Sequence, residues 1–197
     1  QQGFRIERRQ ELSKETFWGP QDALRHISGT QNHPVKFVHV LSYRWLSKLH
    51  PDPMRHHLGI MKHVFFLAIK QIETLVGNFR DGRDIGVFWD FMSIPQVDDY
   101  GKRDEEEEVK FRFGLRCSNV LYAHSLSCVW MQTQMPADFV GTSYEGSGWC
   151  HFEATVSSIL KPHDLRLTLA TSNGSEQNFD ELITKCKASR PPPVSPE

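Results

Sequence analysis

The strongest constraint on this chain is an alternation: short, nearly unbroken apolar runs are each followed by a segment whose apolar residues recur at helical spacing. The run VKFVHVLSY, residues 35–43, is rich in β-branched side chains and has no consistently polar face, which suits a buried parallel strand. After a Pro-Asp-Pro turn, Leu58, Met61, Phe65, Ile69, Ile72 and Val76 predict a helix over residues 56–76. Gly77, Asn78 and the segment DGRD break that helix. DIGVFWDFM, residues 84–92, reads as a second strand ended by Pro95. A charged loop over residues 97–108 then leads into a helix running to about residue 116. NVLYAHS, residues 119–125, reads as a third strand, and residues 126–147 as a long connection containing Trp130 and Pro136. A helix opens within EGSGWCHFEATVSSIL, a fourth strand is LRLTLA, and Phe179, Leu182, Ile183 and Cys186 mark a last amphipathic helix.

Strands alternating with helices imply βαβ units with right-handed crossovers, hence an α/β fold with a mostly parallel sheet covered on both faces. Open sheets of this kind bind ligands in the crevice beyond the carboxyl ends of their strands. Ser42, Tyr43, Arg44 and Trp45 should leave the first strand there, and Asp90 to Gln96 the second. His124 and Ser125 should leave the third, with Trp149 and Glu153 following at the start of the next helix.

Composition narrows the classes of function. The 197 residues suit one domain with a substantial core, and a formal net charge of -1 offers no electrostatic footprint for nucleic acid or an anionic membrane. No apolar run approaches the ~20 residues that span a bilayer. The first residues, QQGFRIERRQ, lack the order of a signal peptide and an initiator Met, as expected of a piece excised from a longer chain. Cys117, Cys128, Cys150 and Cys186 contain no Cys-x-x-Cys pair, so reduced thiols in a cytoplasmic protein are the expectation. Residues 1–34 read as an N-terminal extension with one short helix and residues 189–197 as a proline-rich tail.

One residue breaks the pattern of the helix after residue 147. Trp149, Phe152, Val156, Ile159 and Leu160 gather on one side, and Glu153 falls on the edge of that stripe, where a carboxylate is expensive to desolvate. A first-turn position would let the helix dipole keep it ionised. A carboxylate beside a crevice can accept hydrogen bonds from sugar hydroxyls, or stabilise an oxocarbenium-like centre as a glycosidic bond breaks. Tyr43, Trp45 and Trp149 offer stacking faces, and Arg44 a partner for phosphate. Asp90 is placed to shape the pocket or contact ribose and Ser42 to hydrogen-bond substrate, and four of these residues also have a plain structural reading: a dipole-favouring acid for Glu153, a turn cap for Asp90, local backbone satisfaction for Ser42 and a surface ion pair for Arg44.

In order along the chain, VHVLSYRW, IGVFWDFMSIPQ, SNVLYAHS and GSGWCHFE resemble a Toll/interleukin-1 receptor (TIR) domain. Its first strand ends in a similar Ser-aromatic-Arg segment, its second in an Asp before a loop, and a later helix opens with Trp-Cys-x-x-Glu. Ser42-Tyr43-Arg44-Trp45 and the stretch from Asp90 to Gln96 are also similar to the fungal heterokaryon-incompatibility (HET) domains. The resemblance covers residues 35–188 and implies a flavodoxin-like open sheet of four to five strands. It departs from the TIR pattern at Ser93-Ile94-Pro95-Gln96, and residues 1–34 have no counterpart. For function it implies NAD⁺ cleavage: Glu153 aligns with the essential Glu, NAD⁺ is a substrate and no cofactor or metal is retained, and homo-oligomers form on activation.

Two further readings stand beside the enzyme: a TIR/HET-like adaptor that works by self-association, and another N-glycosidic enzyme such as a nucleoside deoxyribosyltransferase. Cys150 is read as a small buried hydrophobe rather than a nucleophile, because His151 cannot face it from the next helical position. His56, His57 and His63 are read as solvent-facing, and the run DEEEE as charge for a helix N-terminus.

Overall fold

A computed structural model describes residues 5–28, 38–76 and 84–189. Four strands, β1 (Val38–Tyr43), β2 (Gly86–Phe88), β3 (Ser127–Gln132) and β4 (Arg166–Thr168), form one parallel sheet in the order β2-β1-β3-β4. Among the described residues six α-helices accompany them: α1 (Pro20–Ser28), α2 (His56–Val76), α3 (Asp90–Ser93), α4 (Glu105–Ala123), α5 (Gly148–Leu160) and α6 (Phe179–Cys186). This is the α/β, flavodoxin-like open sheet. Residues 35–37 of the first predicted strand, the break after residue 76 up to residue 83, and the tail from residue 190 lie outside the described residues.

Strand alternation divides the core. Leu41, Tyr43, Cys128, Trp130 and Leu167 pack under α2 and α6, against Met61, Val64, Leu67, Phe179 and Leu182. Val40, Val129 and Met131 face α4 and α5, against Tyr122 and Cys150. Ser42 lies two residues beyond Val40 and turns to the same face, which aims its hydroxyl at α5.

Two elements differ from the sequence expectation. NVLYAHS is not a strand: α4 continues to Ala123 with Ser118 and Tyr122, one turn apart, buried on its inner face. The third strand is SCVWMQ, whose six residues are all buried, inside what read as a connection. His124 and Ser125 therefore precede β3 at the amino edge of the sheet, away from the crevice. The second strand is also shorter than predicted, because the chain turns into α3 at Asp90.

The acidic run sits where a helix start wants charge. Asp104 accepts from the Glu107 N–H (2.7 Å), Glu107 accepts in return from the Asp104 N–H (3.3 Å), and Glu105 to Glu108 fill the first turn of α4. Gly114, in mid-helix, leaves the notch into which Ile94 fits; a Cβ there would lie 2.4 Å from the Ile94 Cγ2.

Candidate active site

β1 has β2 on one side and β3 on the other, so the order in which strands are added reverses at it, and the crevice at its carboxyl end is the place this topology offers a ligand. A cleft of ≈ 430 Å³ opens there, in the size range of small-molecule sites. Tyr43, Arg44, Trp45, Asp90, Trp149 and Glu153 all line it. The structure thus gathers six of the seven predicted site residues on one cavity. The seventh, Ser42, is fully buried behind the wall, with its hydroxyl on Glu153.

Glu153 is 3% exposed. Ser42 Oγ donates to its Oε2 at 2.5 Å, and the Tyr144 hydroxyl lies 2.6 Å from Ser42 Oγ on the other side. Tyr144 OH, Ser42 Oγ and the carboxyl therefore form a chain that fixes one oxygen of Glu153 and turns the group toward the cavity. The helix dipole is not what sets its charge. Glu153 is the sixth residue of α5, whose first turn holds no acid. Burial dominates instead and pushes its pKa from 4.5 up to about 8; Ser42, Tyr122 and Trp149 oppose the rise, and the nearby Asp90 charge adds to it. Burial therefore favours the protonated form of Glu153 at neutral pH, contrary to the ionised carboxylate expected from a first-turn position.

The stripe that drew attention to Glu153 also points elsewhere. Cys150, Glu153 and Ser157 form the buried face of α5, whereas Phe152, Ile159 and Leu160 are exposed. Trp149 is 44% exposed at the rim, its ring 5.9 Å from that of Phe152.

Asp90 faces Glu153 from the β2 side. Its Oδ1 accepts from the Tyr43 hydroxyl and the Phe91 N–H, both at 2.6 Å, and its Oδ2 accepts from Trp45 Nε1 at 3.3 Å. Burial raises its pKa, and these three donors hold it down. Two of its donors are themselves cleft residues, so Asp90, the first residue of α3, orients aromatic rings. Arg44 brings positive charge to the same wall. Among the described residues it makes no ion pair, and its buried Nε has no hydrogen-bond partner. An unpartnered buried guanidinium N–H is costly, and because Arg44 lines the cleft its charge suits an anionic group there.

His57 departs from the solvent-facing expectation: it is fully buried beneath this loop. Its Nε2 lies 2.9 Å from the Arg44 carbonyl and its Nδ1 2.5 Å from Gln132 Oε1, which ties the Arg44 peptide to the end of β3. Asp52 receives the His57 and Leu58 N–H groups and caps α2. Cys150 is buried, its thiol 3.4 Å from the Tyr43 carbonyl and pushed by burial up to about 11, the opposite of an activated nucleophile.

Several lining residues were not anticipated. Tyr122, Ser118 and Leu115 come from α4, whose last turns read as a strand. Arg103, stacked over the Phe111 ring at 3.6 Å, lines the cleft from a loop, and Tyr144, which reaches Ser42 behind the wall, lies in a turn; neither position carries a periodic signal. Among the described residues, no group of three His, Cys, Asp or Glu could hold a metal, and no helix is long and apolar enough to cross a membrane. No protein-family model, curated protein or solved structure matches the chain.

Proposed function

We propose that this cleft binds NAD⁺ and hydrolyses the bond between nicotinamide and ribose. The observation that carries the reading is the buried Glu153 carboxyl, hydrogen-bonded from behind by Ser42, in an aromatic cleft that also holds the Arg44 guanidinium. The TIR resemblance of residues 35–188 supports the same reading.

One carboxyl suffices for this substrate. In a neutral glycoside a second acid must protonate the leaving group. The ring nitrogen of nicotinamide in NAD⁺ is already cationic. When its bond to C1′ breaks, the electron pair passes to that nitrogen and nicotinamide leaves neutral. Positive charge then develops on the ribose, where the Glu153 carboxylate stabilises it. Water adds to C1′ and gives up a proton, yielding nicotinamide, ADP-ribose and H⁺. Capture of C1′ by the adenine of the same molecule instead gives a cyclic product. A raised pKa fits this cycle: a cationic ring entering the cleft favours the carboxylate, so substrate binding expels the proton from Glu153. Arg44 takes the diphosphate, Trp45 and Trp149 stack on the rings, and Ser42 holds Glu153 in place. The four unpaired cysteines support a cytoplasmic setting.

The test is release of nicotinamide from NAD⁺ by the purified domain, over a range of protein concentrations to allow for activation by self-assembly. The reading requires turnover in the wild type and its loss in folded Glu153→Gln. Equal rates in both would overturn it. The non-catalytic adaptor has one specific observation in its favour: Val109, Phe113 and Val120 of α4, with Phe152, Ile159 and Leu160 of α5, expose apolar area on neighbouring helices. It predicts concentration-dependent assembly that is indifferent to Glu153→Gln and lost in Phe113→Glu.

A further inference from the structure

We infer that the N-terminal segment is a clamp on one wall of the cleft, with Gln10 as the positioning residue. The wall is the loop over residues 94–103, which contributes Ile94, Gln96, Val97 and Arg103 to the cavity. The Gln10 amide meets both backbone polar groups of Gln96. Its Nε2 donates to the Gln96 carbonyl (2.6 Å), and the Gln96 N–H donates to its Oε1 (3.1 Å). One side chain thus does what a neighbouring strand would do. Among the described residues the Gln96 backbone has no other hydrogen bond.

The clamp reaches the site through Gln96 itself. That side chain is buried and donates to the carbonyls of Ile94 (3.0 Å) and Asp90 (3.3 Å). Asp90 in turn orders Tyr43 and Trp45. Arg8 adds a second grip, donating to the Val97 carbonyl (3.2 Å) and to Asp99 (3.0 Å) while Glu11 braces its guanidinium. The segment is anchored on both sides of these contacts. Ile6 is buried in the main core, and the Trp18 ring lies so close on β2 that a Cβ at Gly86 would sit 2.4 Å from it. Residues 5–19 are thereby part of the cleft's architecture, although residues 1–34 read as an extension ahead of the domain.

Freeing the Gln10 contact loosens the wall and weakens ligand retention while leaving the hydrogen bonds of Glu153 untouched. The consequence for substrate rests on the NAD⁺ reading; the clamp itself does not. The Gln96 amide is a direct reporter. In full-length Gln10→Ala without ligand, its hydrogen exchange should accelerate about five- to tenfold, the worth of an ordinary hydrogen bond. The Asp98 amide, bonded within the loop to the Lys102 carbonyl, changes less, and amides of α2 do not change. With NAD⁺, KM should rise by a similar factor at nearly constant kcat. Unchanged exchange at Gln96 overturns the clamp. Accelerated exchange with an unaltered KM overturns its link to the site. Accelerated exchange in a protein that never turns over NAD⁺ upholds the clamp and overturns only the glycohydrolase reading.

Discussion

Helix α5 carries a buried ionisable side chain near its middle and is followed by another just past its end; they show what a buried charge can be for. Lys161, immediately after the helix, is fully buried, and its ammonium donates to the His124 carbonyl, the Ser127 carbonyl (2.8 Å) and the Ser127 hydroxyl (2.7 Å). Glu153 is buried to a similar degree, but its ordered partner is the Ser42 hydroxyl and it faces a cavity. Burial moves both pKa values to about 8, Lys161 downward and Glu153 upward. The lysine is saturated by fixed oxygens and ties the end of α4 to the start of β3. The glutamate has chemistry left to offer a ligand.

Removing each group should therefore damage different things. Glu153→Gln keeps the shape and a hydrogen-bond acceptor for Ser42, so the domain folds, while nicotinamide release falls by about 10²- to 10³-fold, as for loss of one electrostatic stabiliser of the transition state. The same change should remove a pH dependence of stability. A carboxyl whose pKa rises on folding contributes fully below 4.5, and its contribution is lost as pH climbs to about 8; the shift is worth on the order of 5 kcal/mol. Unfolding titrations between pH 5 and 9 should show the wild type losing stability relative to Glu153→Gln, with the difference levelling off above about 8. A flat difference would place Glu153 in water.

Lys161→Met should do the reverse. Loss of the ammonium leaves the His124 and Ser127 oxygens without their donor, costing about 2–4 kcal/mol and lowering Tm by roughly 5–15 °C. Activity per folded molecule is retained below the new Tm. Its pH signature falls in the other direction: a lysine whose pKa drops on folding gives the wild type growing stability, relative to the variant, between about 8 and 10.5. If Lys161→Met abolished turnover in folded protein, the separation of the two roles would fail.

Smaller effects refine the same contrast. Ser42→Ala removes the donor that favours ionised Glu153, so kcat/KM at pH 7 should drop about tenfold, the worth of one hydrogen bond to a charged group. Tyr144→Phe, one step further along the chain, should cost only a few-fold, read in the same assay. Cys150→Ala, which removes a thiol held neutral by burial, should leave turnover within about threefold at any pH from 6 to 9.

How much of this was legible in the sequence depended on what each residue's signal reports. The helix over residues 56–76 has one face on the sheet and one in water, and its periodicity gave both ends. SCVWMQ is buried on both faces, so it alternates with nothing, and its Ser and Gln ends made it look like a linker. VLYA looked like a strand because the last turn of α4 combines an inner apolar face with an exposed Val120. Glu153 stood out as a carboxylate among apolar residues, yet the stripe that flagged it faces outward, and the dipole thought to charge it is too far along the helix. What fixes Glu153, a hydroxyl from β1 and another from residue 144, depends on chain segments 102 residues apart meeting. No local pattern records that meeting. The grip of Gln10 on Gln96, across 86 residues, is hidden for the same reason.

A buried, cleft-facing Glu153 that must lose its proton before NAD⁺ is cleaved will leave its mark on the pH dependence of kcat/KM for nicotinamide release, because that profile reports groups of the free protein. The wild-type rate should rise with pH and level off above about 8, with the limb absent from the residual rate of Glu153→Gln. A wild-type profile flat from pH 6 to 9, or the same limb surviving in Glu153→Gln, would contradict it.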